Sequence, residues 1–292
     1  MHTHIAGGFS EQFAREWLQT HWAALPAWWD PSRRWRVEDF TNIDPGKGIT
    51  DMDRGRVNVA VTWGIRMTPL GCNSKPEHTA RLQEKYAGRV IGFHCADAFK
   101  GGTEAARDLE RAVNELSLRG VKIFPSYNHM YPNDPRLMPI YAKAEELNVP
   151  CVVHAALALN KDTWVKYEHP FHLDEVCQAH PDLKLVVAHF GFQFAEEVLT
   201  LMWRYPNLYG DLAAFAFWPI HYLAHVFAWA KKLGFHERIV FGSDWPLGDP
   251  AAQIEVYRRL PTYMEKYGYE PALTEEDVAK ILGGNAAKLL KL

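Results

Sequence analysis

Leu183–His189 reads LKLVVAH, a short apolar run with branched side chains that stops on a histidine. Its length suits a strand better than a helix, and its apolar content suits a strand buried on both faces. The same form recurs on either side: VNVAVTW (Val57–Trp63), RVIGFH (Arg89–His94), VKIFP (Val121–Pro125), PCVVHA (Pro150–Ala155), NLYGDL (Asn207–Leu212) and RIVFGSD (Arg238–Asp244). Amphipathic segments separate these runs. In Thr103–Arg119, Ala106, Leu109, Val113 and Leu116 fall at helical spacing. Asp134–Asn148 opens with an N-cap aspartate and a proline at the first helical position, and Thr274–Lys291 opens TEED, a helix start. Strands alternating with helices imply βαβ units and a parallel sheet. With one more strand at the extreme N-terminus they number eight, as in a (β/α)8 TIM barrel. A doubly wound sheet would need a Gly-rich turn after an early strand, and the chain has no GxGxxG. Residues 1–292 therefore read as one barrel domain. Gly8–Thr50 fits least well: it carries Trp17, Trp22, Trp28, Trp29 and Trp35 among prolines and charges. It reads as an insertion after strand 1 at the barrel mouth, serving as an apolar flap, a subunit contact or a lid.

The 292 residues are 48% hydrophobic and 23% charged, an ordinary globular balance with enough chain to bury a core. A net charge of −3 gives no basis for binding nucleic acid or an anionic membrane. No apolar run approaches the length of a membrane span. The four cysteines form no CxxC, and the N-terminus carries no signal peptide, so reduced thiols and a cytoplasmic location are expected.

The 14 histidines direct attention to a site. His2 and His4 form an HxH pair, and residues i and i+2 of a strand face the same side. His154, His189 and Asp244 each stand at the end of a predicted strand. In a parallel barrel all such ends share one face, where active sites form. Three imidazoles and a carboxylate, or four imidazoles with the second histidine of HxH, would meet at one mouth. Nitrogen and oxygen donors without thiolate suit one divalent ion, zinc first, with manganese or iron as alternatives. The bland reading of each histidine is a hydrogen-bonded core residue, and that of Asp244 a turn residue in GSDWP.

At this point the chain resembles the amidohydrolase-related proteins, the amidohydrolase 2 branch of the amidohydrolase superfamily. The resemblance rests on HTH at the first strand, GVKIFPSY (Gly120–Tyr127), NDPRLMPIYAKAEELNVPCVVHA (Asn133–Ala155), VVAHFG (Val186–Gly191), NLYGDL, VFGSDWP (Val240–Pro246) and TEEDVAKILGGNAAKLL (Thr274–Leu290). It implies that His2, His4 and His154 bind the metal. It implies that Asp244 is a ligand or a general base beside it, and that His189 polarises substrate or shuttles a proton. Two features depart from the family. Only Met1 precedes His2, so strand 1 is expected to be very short, and Ala155-Ala156-Leu157 follows His154 where many relatives carry Thr-Gly and the decarboxylase branch tends to carry a Pro-Trp-Asp stretch. Some superfamily members use a carbamylated lysine on strand 4; Lys122 lies early in that strand, and we expect one metal and a structural or substrate-facing Lys122.

Arg66, after the second strand, is a candidate carboxylate clamp, since a guanidinium binds a carboxylate bidentately. Tyr127, His129, Tyr131, Trp245 and His94 are candidates for an aromatic-walled pocket, and Asp211 for orienting a neighbour. The expected activity is metal-dependent hydrolysis of a small lactone, amide or ester, with Asp244 managing the proton and His189 stabilising the oxyanion. The alternative is non-oxidative decarboxylation of an aromatic or muconate-type acid. A third reading is a non-catalytic ligand-binding barrel. The partner is a small molecule, and the family and the tryptophans suggest a homodimer.

Overall fold

A computed structural model describes residues 2–20, 35–99 and 101–292. Within them eight parallel strands close into a barrel: β1 (His2–Thr3), β2 (Ala60–Thr62), β3 (Val90–Gly92 and His94–Ala96), β4 (Val121–Ile123), β5 (Cys151–Val153), β6 (Leu185–Val187), β7 (Leu208–Asp211) and β8 (Ile239–Val240 and Gly242–Trp245). Strands pair in chain order, and β8 returns to β1, where His2 lies opposite both Val61 and Gly242. Two strands are interrupted, at Phe93 and Phe241. The first half of β3 pairs with β2 and the second with β4; the first half of β8 pairs with β7 and the second with β1. A two-residue β1 suffices because both its edges are paired.

Each strand is followed by a helix: α3 (Pro45–Arg54), α4 (Pro76–Lys85), α5 (Gly102–Asn114), α6 (Met138–Glu146), α7 (Leu173–Ala179), α8 (Ala195–Arg204), α9 (Ile220–Lys232) and α10 (Pro250–Tyr267) after β1 to β8 in turn. Two shorter helices, α1 (Glu11–Leu18) and α2 (Glu38–Thr41), precede α3. The segment read as an insertion over 8–50 thus contains the crossover helix of the first βα unit. Asp44 caps α3 by accepting the Gly46 N–H, and Pro45 follows it. That start signal was masked by the glycines of PGKG. Trp22, Trp28 and Trp29 lie outside the described residues.

Strand alternation separates two cores. Val121, Ile123, Cys151, Val153, Leu185 and Val187 face the helices. Cys95, Val152, Val186 and Val240 face the barrel axis, continuous with Phe9, Phe13 and Trp17 at the mouth. At the C-terminus Thr274 and Asp277 form the reciprocal capping box that TEED announced. Asp134 does not cap α6. It accepts the Arg136 N–H within a turn, and the helix starts at Met138 with Pro139 in its first turn. Among the described residues no helix is long and apolar enough to cross a membrane.

Candidate metal centre

At the C-terminal ends of the strands the structure gathers His2, His4, His154, His189, Asp211 and Asp244, all nearly inaccessible to solvent. The hydrogen bonds fix the tautomers. His189 Nδ1 lies 2.9 Å from the Ala213 carbonyl, which only accepts, so Nδ1 carries the proton. His189 Nε2 is then an acceptor for His154 Nδ1 at 3.1 Å. That leaves His154 Nε2 a bare lone pair, buried and without a partner. On the opposite side His2 Nδ1 donates to Asp211, which also accepts the Ala213 N–H at 2.9 Å. His2 Nε2 is thereby freed and lies 3.4 Å from Asp244 Oδ1. A carboxylate bonded to the far nitrogen of an imidazole is how proteins orient and strengthen histidine ligands. His4 Nε2 sits 3.0 Å from the same Asp244 oxygen.

The local electrostatics match this arrangement. Burial lowers the proton affinity of His2, of His4 and, most strongly, of His154, and brings His189 to about 4, so the imidazoles are neutral. Burial alone would raise the Asp244 carboxyl, but His189, His4 and His2 around it hold it well below the carboxylate range. Neutral nitrogens with bare lone pairs beside an ionised carboxylate fit a divalent cation. Ligand atoms of His2, His4 and Asp244 lie within 4.8 Å of one another. His154 lines the same cavity but stands outside that group of three. His189 and Asp244 hold backbone φ values of +59° and +61°. Such left-handed positions are uncommon for non-glycine residues and re-aim their side chains inward.

His4, His154, His189 and Asp244 form one wall of a cavity at the barrel mouth, which His2 and Asp211 do not line. Aromatic rings follow one another around it. His4 lies 5.4 Å from Phe9, Phe9 4.9 Å from Phe13, and Phe13 6.3 Å from Tyr127. Tyr127 lies 5.0 Å from His154, and Phe192 stacks on His189 at 4.8 Å. Helix α1 supplies Phe13 and Trp17, and the Asn160 side chain ties it down by donating to the Phe13 carbonyl. Sequence reading gave no role to Phe9, Phe13 or Phe192; only the position of Phe192 beside His189 hinted at one.

Tyr127 lines the cavity, its hydroxyl accepting the Leu159 N–H. Three other expected substrate contacts are placed elsewhere. Arg66 starts a short antiparallel pair after β2, and its guanidinium is held by Asp108 at 2.6 Å, outside the cavity lining. His129 is exposed and closes the turn Ser126–Asn128. Trp245 donates its indole N–H to Asp51 at 2.9 Å and packs away from the cavity. His94 also points outward, 3.5 Å from Asp108, because β3 runs on to Ala96 and sends Cys95 inward instead.

Comparison with known proteins decides the family. This chain belongs to the amidohydrolase family. The family model of that description matches residues 1–292. A 2-amino-3-carboxymuconate-6-semialdehyde decarboxylase of Dictyostelium discoideum is 23% identical over 302 residues, covering 88% of this chain and 79% of its own. A gamma-resorcylate decarboxylase of Rhodococcus jostii (strain RHA1) is 23% identical over 263 residues, covering 70% and 75%. The barrel is shared with a dihydroxybenzoic acid decarboxylase of Polaromonas sp. JS666, solved with bound manganese and the inhibitor 2-nitroresorcinol (TM-score 0.66, 19% identity, 99% and 96% covered). For this chain that likeness shows the fold. Both of these sequence relatives are named as decarboxylases.

Proposed function

We infer that this protein is a metal-dependent decarboxylase of a small carboxylic acid. The observation that carries the reading is the pairing of a bare-nitrogen His–Asp cluster with an otherwise apolar, aromatic cavity. An ester or lactone hydrolase must bring water to the same place, whereas loss of carbon dioxide turns a charged carboxylate into a neutral product, a change that an apolar surrounding favours. The relatives' names agree with the lyase reading. His2, His4, His154 and Asp244 would hold the ion, and the manganese of the Polaromonas enzyme makes manganese as good a candidate as zinc.

A divalent cation there supplies an electrophile that grips and orients the substrate's carboxylate. The chain's residues do the rest. The apolar rings strip water from the acid as it enters. When the bond to the carboxyl carbon breaks, its electron pair stays on the remaining carbon, which takes a proton. Asp244 lines the cavity and is the proposed carrier of that proton, which comes from solvent; His4 Nε2, 3.0 Å from Asp244 Oδ1, holds the carboxylate in place. His189, fixed by Ala213, holds His154 in the tautomer that leaves Nε2 bare.

The test is to load the protein with manganese or zinc and offer hydroxybenzoates alongside aryl esters and lactones. Carbon dioxide release that disappears on chelation, and in a folded Asp244→Asn variant, is expected. Ester or lactone hydrolysis with no carbon dioxide from any acid would refute the reading.

A further inference from the structure

Among the described residues the cavity lining beyond the His–Asp cluster carries no charged side chain: its polar side-chain atoms are Tyr127 Oη and the unpartnered indole N–H of Trp17, set among Phe13, Met67, Leu159, Phe217 and Leu247 and the rings beside the cluster. Two cations near the barrel mouth and interior are committed elsewhere. Arg66 is held by Asp108, and the ammonium of Lys122 lies between the faces of Trp63 and Phe124, at 4.9 and 4.8 Å, outside the lining. Among the described residues no lysine or arginine lines the cavity. A carboxylate inserted there away from the cluster would lose its hydration and meet no counter-charge, which burial penalises heavily.

From this we propose that the substrate is a planar acid with a single carboxylate, held at the His–Asp cluster, whose far end is uncharged. Tyr127 Oη accepts the Leu159 N–H, and its own proton has no acceptor among its hydrogen bonds. It can therefore donate to one neutral oxygen on the ring. The proposal deepens the decarboxylase reading and rests on it for the acid itself.

The experiment measures dissociation constants by calorimetry for the manganese-loaded protein with three ligands. These are 2-hydroxybenzoate, its 4-ethyl derivative and its 4-carboxy derivative; the 4-position is para to the carboxylate and so lies at the far end. The ethyl compound is expected to bind at least as tightly as the parent, and the dicarboxylate about 30-fold more weakly, the scale of one uncompensated buried charge after partial relaxation. Met67→Lys or Leu247→Lys, whichever folds, should shrink that ratio about tenfold by supplying the missing cation. Equal or tighter binding of the dicarboxylate, no binding by any of the three, or an unmoved ratio in a folded lysine variant would overturn the proposal. Carbon dioxide release from the same samples reads the parent hypothesis separately: preferential binding of the monoacids without release would leave the ligand class standing and remove the reaction.

Discussion

Asp211→Asn tests whether the bare nitrogen of His2 is a designed feature. In the wild type, one Asp211 oxygen takes the Ala213 N–H and the other takes His2 Nδ1–H, which leaves His2 Nε2 unprotonated. Asparagine has one acceptor and one donor end. If its oxygen stays on Ala213, its NH2 faces His2 Nδ1, and the imidazole must move its proton to Nε2, the atom that should bind metal. If it flips, the buried Ala213 N–H loses its acceptor. Either route weakens one ligand without removing it, so the loss should match that of an outer-shell carboxylate, 10- to 100-fold in metal affinity, or about 1.4 to 2.8 kcal/mol. The assay is chelator competition with manganese and zinc, and a circular dichroism melt of the same sample would confirm that the fold persists. A folded Asp211→Asn with affinity within about twofold of wild type would refute the tautomer argument, and with it the assignment of His2 as a ligand.

Two other substitutions probe the scaffold. A Cβ on Gly242 would sit 2.3 Å from Asp211 Oδ1 and 2.7 Å from His2 Cβ, both held by barrel strands that cannot yield cheaply; Gly242→Ala should therefore destabilise the fold by about 1 to 3 kcal/mol in denaturant titration and weaken metal binding as well. Burial alone would raise the Asp277 carboxyl, but Lys231 at 2.7 Å, the Thr274 cap and His236 bring it down to about 2. A depressed carboxyl stabilises the fold above its unfolded value near 3.8 and loses that contribution as pH falls through about 2. Asp277→Asn should cost about 2 kcal/mol at pH 7 and about half as much at pH 3, measured by urea unfolding at each pH; a pH-independent difference would show that the charge is not what matters.

The barrel was legible because its signal is local. Seven buried runs at regular intervals, most of them ending in a polar or small residue, leave few ways to alternate strands with helices, and the strand-end histidines and Asp244 follow from that register. The same logic failed where a side chain's direction depends on more than parity. His94 looked like a strand end, but β3 continues two residues further and turns it toward α5. Arg66 carries the right group for a carboxylate, yet Asp108 on α5 already holds it at 2.6 Å, a contact across 42 residues that spacing does not reveal. His129 and Trp245 stand one turn past site residues in sequence and are swung out by backbone conformation, with His129 at a φ of +55°. The cavity wall was the least legible part. Phe9, Phe13 and Trp17 come from the stretch before α3, whose pattern is not that of a barrel element; Phe13 meets Tyr127, and Phe192 lines the same cavity from beside His189. Residues that strand register brings to the barrel mouth can thus be read from one chain, whereas the cavity walls come from irregular segments. The misplacement of Arg66 therefore bears more on substrate than on chemistry: with that cation bound to Asp108, the cavity is left without the charge a second carboxylate would need.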